Sequence, residues 1–154
     1  MIEAFFIFSN IGKLCSIHQY NHLGLCDSEL EELSQNALAI LSGSQPFVIV
    51  ESEDLFKDTP SSLSDKLICL IKREDILLAG VLFEESELVS FKVMNLIIDE
   101  LKEKLEKPLS FSVRTHPVLT KSVMDSFVFG GQIMAVSRDE SSKIFELNYK
   151  VSEN

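Results

Sequence analysis

Residues 67–106 read LICLIKREDILLAGVLFEESELVSFKVMNLIIDELKEKLE, and the hydrophobic period changes once along them. Leu67 to Ile71 and Ile76 to Phe83 are apolar runs separated by the charged Lys72-Arg73-Glu74-Asp75, the pattern of two strands and a turn. Beyond Ser86 the spacing lengthens to three and four. Leu88, Phe91, Met94, Ile98, Leu101 and Leu105 form one stripe, while Glu100, Lys102, Glu103, Lys104 and Glu106 crowd the other side and Pro108 ends the pattern. A hairpin that feeds a long helix over 86–106 is expected, with the stripe packed on the sheet. Leu96 and Ile97 do not both fit that stripe. Part of the apolar surface of this helix is therefore expected to stay exposed, and such a surface marks a protein interface, which makes Leu96 and Ile97 the candidate partner-binding residues.

The flanking segments complete the sheet. Ile2 to Phe8, a turn at Asn10-Ile11-Gly12-Lys13 and Leu14 to Tyr20 read as a hairpin over 2–20. Ser28, three positions before Glu31, reads as the N-cap of a helix whose apolar positions are Leu30, Leu33, Ala37, Ile40 and Leu41, with Gly43 as its stop. Phe47 to Val50 is a continuous β-branched and aromatic run, expected to be a strand buried on both faces. Ser52 to Asp65 is the longest expected loop. After Pro108 an extended piece through Phe111 and Val113 leads to Pro117, placed to open a third helix that Gly130-Gly131 would terminate. Phe145, Leu147, Tyr149 and Val151 alternate with polar residues and read as a terminal strand. The order is α/β of the α+β kind: one domain over 1–154, with a five-stranded, mostly antiparallel sheet and helices on its faces.

Composition narrows the function. The 154 residues are 45% hydrophobic and 25% charged, as in a packed globular chain. A formal charge of −10 repels phosphate backbones, which excludes nucleic acid as a ready partner. No basic cluster exceeds Lys72-Arg73, so membrane association is expected only indirectly, through a partner. The apolar N-terminus lacks a basic flank and stops at Ser9-Asn10, as a strand does and a signal peptide does not. Three cysteines point to free thiols in a reducing, cytoplasmic setting.

The chemical motifs are thin. Cys15, His18, His22 and Cys26 give four zinc-type ligands within twelve residues. On a strand, however, Cys15 and His18 have opposite parity and would face opposite sides, and Leu23-Gly24 disfavours the helical turn that His18 and His22 need to meet. Cys69 lies among Leu67, Ile68, Leu70 and Ile71, where a thiolate is desolvated. His116 has no accompanying nucleophile motif. Gly130-Gly131 follows a helix instead of opening one, unlike a phosphate-binding loop. No catalytic residue, cofactor or metal is expected.

Two stretches resemble a known family. The opening MIEAFFIFSNIGKLCSIHQY resembles the first hairpin of longin domains, with its turn at an N-x-x-G-K-like segment. VLTKSVMDSFVFGGQIMAVSRDESS, residues 118–142, is similar to the L-D-E-hydrophobic-x-x-x-G stretch of clathrin-adaptor sigma chains, mu-chain N-terminal domains and coatomer zeta, with Met124-Asp125-Ser126-Phe127 in the L-D-E-hydrophobic place. Taken with Leu109 to His116 as the strand-like link, the resemblance runs along nearly the whole chain. It implies a longin-like domain acting as a non-catalytic small subunit of a vesicle-coat adaptor complex. Such a subunit would be cytoplasmic, peripheral on endomembranes, and hetero-oligomeric with a larger adaptor or coat subunit. The alternative is a longin or roadblock-type scaffold in a small-GTPase-regulating or tethering complex. The sequence departs from the family twice. The basic residue that sigma chains carry after the hairpin glycine, where it helps accept acidic dileucine signals, falls here in Leu14-Cys15-Ser16, so the resemblance leaves open whether such signals are bound. The family usually ends in a helix, whereas Phe145 to Val151 alternates.

Overall fold

The computed structural model describes residues 1–42 and 45–153. Five strands, β1 (Ile2–Ser9), β2 (Leu14–Gln19), β3 (Phe47–Glu51), β4 (Leu67–Arg73) and β5 (Ile76–Leu82), form an antiparallel sheet in the order β2-β1-β5-β4-β3. The helices are α1 (Asp27–Ile40), α2 (Glu87–Lys104), α3 (Leu109–Thr115), α4 (Pro117–Phe127) and α5 (Arg138–Glu153). A short second ribbon, β6 (Val128–Phe129) with β7 (Gln132–Ile133), follows α4. The two hairpins and the long helix expected from sequence are present.

Alternation along the strands divides the core in two. Phe5, Ile7, Cys69, Ile71 and Leu78 point to the face covered by α2, α3 and α4. Phe6, Phe8, Ile68, Leu70 and Leu77 point to the other, covered by α1 with Leu55, Phe56 and Leu63 from the long connection. β1 lies between β2 and β5 and is buried along all eight residues, which explains why its sequence shows no solvent side. Helix α2 lies close on β5 because position 80 has no side chain. A Cβ there would stand 2.9 Å from Met94 Sδ and 3.4 Å from the Phe5 ring.

Several expectations are corrected. Helix α1 is capped two residues before Ser28, by Cys26, whose N–H donates to Glu29 Oε1 at 2.9 Å; the Cys26 thiol, and with it this backbone bond, holds the Glu29 carboxyl below its ordinary range. Gly43, read as the stop of that helix, lies outside the described residues. β3 is an edge strand and only partly buried, because a short β-branched run does not show whether a neighbour exists on each side. The 52–65 connection contains two short 3₁₀ turns, Ser52–Asp54 and Ser61–Leu63.

The C-terminal third departs most. Residues 109–115 are helical, not extended: Leu109, Ser112 and Val113 are buried at helical spacing. Across the sheet, Asp75 in the β4–β5 turn accepts from Ser110 N–H at 3.2 Å and from Ser110 Oγ at 2.5 Å. That cap comes from another part of the chain, so no local pattern announces it. Helix α4 ends at Phe127, before the glycines, and Gly130-Gly131 instead make the β6–β7 turn with φ of 56° and 84°. The expected terminal strand is helix α5. Ser137 caps its start: Glu140 N–H donates to Ser137 Oγ at 3.2 Å, and Ser137 Oγ donates in turn to Glu140 Oε1 at 3.0 Å. Consecutive Ile144 and Phe145 both pack on the core while Leu147 is exposed. That is the burial of a helix face, not of an alternating strand. A helical C-terminus also removes one of the two departures from the family pattern.

Candidate partner-binding surfaces

Helix α2 begins at Ser86, whose Oγ accepts from Val89 N–H at 3.4 Å. Its buried residues are Ser90, Val93, Met94, Ile97, Ile98, Glu100 and Leu101. Met94, Ile98, Leu101 and Leu105 of the expected stripe are buried, Ser90, Val93 and Ile97 widen it on one side, and Glu100, expected on the polar side, is buried in ion pairs with Lys104 and Arg138. Leu88 leaves the stripe, at 81% exposure, and Phe91 lies at its margin, stacked on Phe47 with ring centroids 3.9 Å apart. Met94 fills the space over Gly80, so the helix sits close on β5 with Val93 and Ile97 buried beside it. Ile97 is therefore fully buried and offers nothing to a partner, which corrects its place among the candidate contacts. Leu96 is partly exposed beside the core. On the opposite side, the Arg73 guanidinium donates to Asp99 Oδ1 at 2.7 Å and to Asn95, which fixes the azimuth of the helix on β4.

The four zinc-type residues do not assemble. The parity argument itself fails at Cys15: the β1–β2 register slips between Ile7 and Phe8, so Cys15 sits in a bulge and packs toward the same side of the sheet as His18 and Tyr20. What separates the ligands is a different bond. His18 Nε2 lies 2.9 Å from Asp125 Oδ1 of α4 and its ring meets Tyr20 edge-on. Tyr20 Oη donates to the Val128 carbonyl at 3.0 Å. Among the described residues no three His, Cys, Asp or Glu side chains gather around one point. The aspartate of Met124-Asp125-Ser126-Phe127 thus ties the end of α4 to strand β2, while Met124, Ser126 and Phe127 enter the core.

Two surface features have no counterpart in the sequence reading. A hollow of about 250 Å3 between the β1–β2 turn and α3 is lined by Lys13, Cys15, Ser110, Arg114 and the strongly exposed Ile11 and Phe111. Burial raises the Cys15 thiol pKa, and the nearby Arg114 and Lys13 charges oppose that rise. A cation from α3 thus stands beside Cys15 of β2, a juxtaposition made only by folding. The second feature is the outward row Phe129, Met134 and Val136 around the β6–β7 ribbon.

The three thiols are graded by environment. Cys26 is exposed, Cys15 half-buried and Cys69 buried, the last pushed up to about 12 by desolvation. Ellman's reagent at pH 8 is expected to titrate one thiol rapidly and a second slowly. The third should react only in denaturant, since the thiolate is the reacting form. Rapid labelling of all three in the native chain would contradict this packing of β4.

No family model matches the sequence, and no curated protein does. Among solved structures the chain is similar to one of the "Homology model of the full-length AP-3 complex in a stretched open conformation". The TM-score is 0.67 at 17% identity, over 99% of this chain and 96% of that chain. At that identity the likeness is one of fold: a five-stranded antiparallel α+β domain shared from end to end with a chain of an adaptor complex. No described helix is long and apolar enough to cross a membrane.

Proposed function

We propose that the chain is a single longin-like domain that serves as a non-catalytic small subunit of a vesicle-coat adaptor-like complex, bound to a larger subunit and peripheral to membranes through it. The observation that carries this reading is the end-to-end fold likeness to a chain of the AP-3 assembly, joined by exposed apolar side chains on several elements: Ile11, Leu88, Phe111 and Phe129. Leu96 on α2 is the contact proposed from sequence, and Leu88, about two helical turns before it, widens that surface.

Native affinity capture of the tagged chain, followed by mass spectrometry and size-exclusion chromatography, is expected to recover a larger subunit in stoichiometric amount. Leu96→Asp should leave the fold intact and reduce that recovery by about tenfold. Leu96→Ser, which removes apolar contact without adding charge to an already acidic chain, should reduce it as well. If both variants fold and recover the partner at wild-type levels, α2 is not the interface. Elution of the native chain as a free monomer from the cell extract would overturn the subunit reading as a whole.

A further inference from the structure

The outer edge of β3 is open. Lys72 N–H donates to the Pro46 carbonyl at 2.8 Å and Ser52 N–H to the Lys66 carbonyl at 3.2 Å. With Val48 opposite Leu70 and Val50 opposite Ile68, antiparallel alternation turns the even-numbered residues toward β4. The N–H and C=O groups of Phe47, Ile49 and Glu51 therefore face outward, and among the described residues β3 pairs with β4 alone. Such an edge is ordinarily guarded by a lysine, an internal proline, a bulge or a covering element. Here Phe47-Val48-Ile49-Val50-Glu51 runs in unbroken register, with its four apolar side chains only partly buried. It is a template for one more strand.

A separate observation says what that strand carries. At its Glu51 end the edge opens on a hollow of about 250 Å3 lined by Glu51, Glu53, Asp65, Lys66 and Leu67. The three carboxylates are exposed, and none makes an ion pair among the described residues. The cation in the hollow, Lys66, is committed elsewhere, to the buried Glu3 carboxylate at 2.7 Å. The negative end of the edge is left uncompensated.

We infer that β3 receives an extended segment of a partner protein as an antiparallel sixth strand, with lysine or arginine at the N-terminal end of that segment facing Glu51, Glu53 and Asp65. Antiparallel pairing fixes the direction, because the incoming N-terminus must lie beside the C-terminal end of β3. A second copy of this chain fits less well. Pairing about Ile49 sets each Glu51 opposite a Phe47, supplies no cation, and brings together two chains of charge −10. The inference does not depend on the adaptor reading.

The test uses the full chain and a fluorescent peptide, Lys-Arg-Val-Thr-Val-Thr-Val, followed by anisotropy at low salt. Saturable binding is expected, weakening by about tenfold when Glu-Glu replaces Lys-Arg or when the chain carries E51K and E53K together. Methylating the peptide nitrogens that face β3 should weaken it by a similar factor, since this removes the backbone bonds and keeps the charge. Because that control alters only the peptide, it stands even if a chain variant misfolds. Absence of saturable binding by the basic peptide, or equal binding of its methylated or acidic forms, overturns the proposal. So does a sedimenting dimer of the chain that Ile49→Pro disperses, which assigns the edge to a second copy.

Discussion

Phe5→Ala is expected to lower the stability of the domain by about 3–5 kcal/mol, the usual cost of truncating a fully buried aromatic side chain. Phe5 is wholly buried on the interior strand β1, opposite His18 on one side and Gly80 on the other. Its ring meets Tyr20 edge-on at 6.1 Å between centroids and lies beneath the methionine that fills the space over Gly80. Because the neighbour at position 80 has no side chain to relax into the vacancy, the cavity should persist. Phe5→Leu, which keeps most of the volume, should cost clearly less. The exposed Phe111→Ala is the control and should stay within about 0.5 kcal/mol of wild type. Urea denaturation midpoints of the three variants decide the matter. A loss below about 1 kcal/mol for Phe5→Ala would mean that α2 does not close on β5 as described.

The second large effect concerns the buried pair between Glu3 on β1 and Lys66 at the start of β4. Glu3 is 3% exposed, and its carboxylate accepts from Lys66 Nζ at 2.7 Å and from Asn21 Nδ2 at 3.3 Å. Removing the cation leaves a desolvated carboxylate with one neutral donor. Lys66→Met should therefore destabilise by about 3 kcal/mol, in the range found when one partner of a buried pair is lost. Adding Glu3→Leu removes the stranded charge, and the double variant should recover most of that loss. A double-mutant cycle with a coupling near zero would show the pair to be solvated and of little account.

How much of this was legible in the sequence depended on whether the deciding contact was local. The 2–20 and 67–83 hairpins and the helix over 86–106 were readable because turn residues and hydrophobic period lie within a few positions of the strands and helices they define. Helix α3 was not, since its cap is Asp75, thirty-five positions away from Ser110. The burial of Val93 and Ile97 beside the expected stripe was hidden for the same reason, since the close seat of the helix over Gly80 is a contact with another element. For α5 the sequence carries two conflicting signals: the S-x-x-E spacing of Ser137 and Glu140 marks a helix start, while the accidental alternation of Phe145 and Leu147 mimics a strand. Of the candidate contacts, Leu96 remains at the surface and Ile97 does not. The cation beside Cys15 could not be read, because Arg114 lies ninety-nine positions along the chain from it.

The order of the sheet also governs how the chain can be made. The registers of its central pair run from Ile2 with Leu82 to Ser9 with Ile76, so β1 must wait until some eighty residues have been synthesised before its inner neighbour exists. At a synthesis rate of roughly 5–20 residues per second, that wait is several seconds or more. Throughout it, β1, with its three phenylalanines, has one edge unpaired. The growing chain thus carries an apolar strand with an unpaired edge until β5 has emerged, an exposure that favours aggregation during synthesis more than in the finished domain.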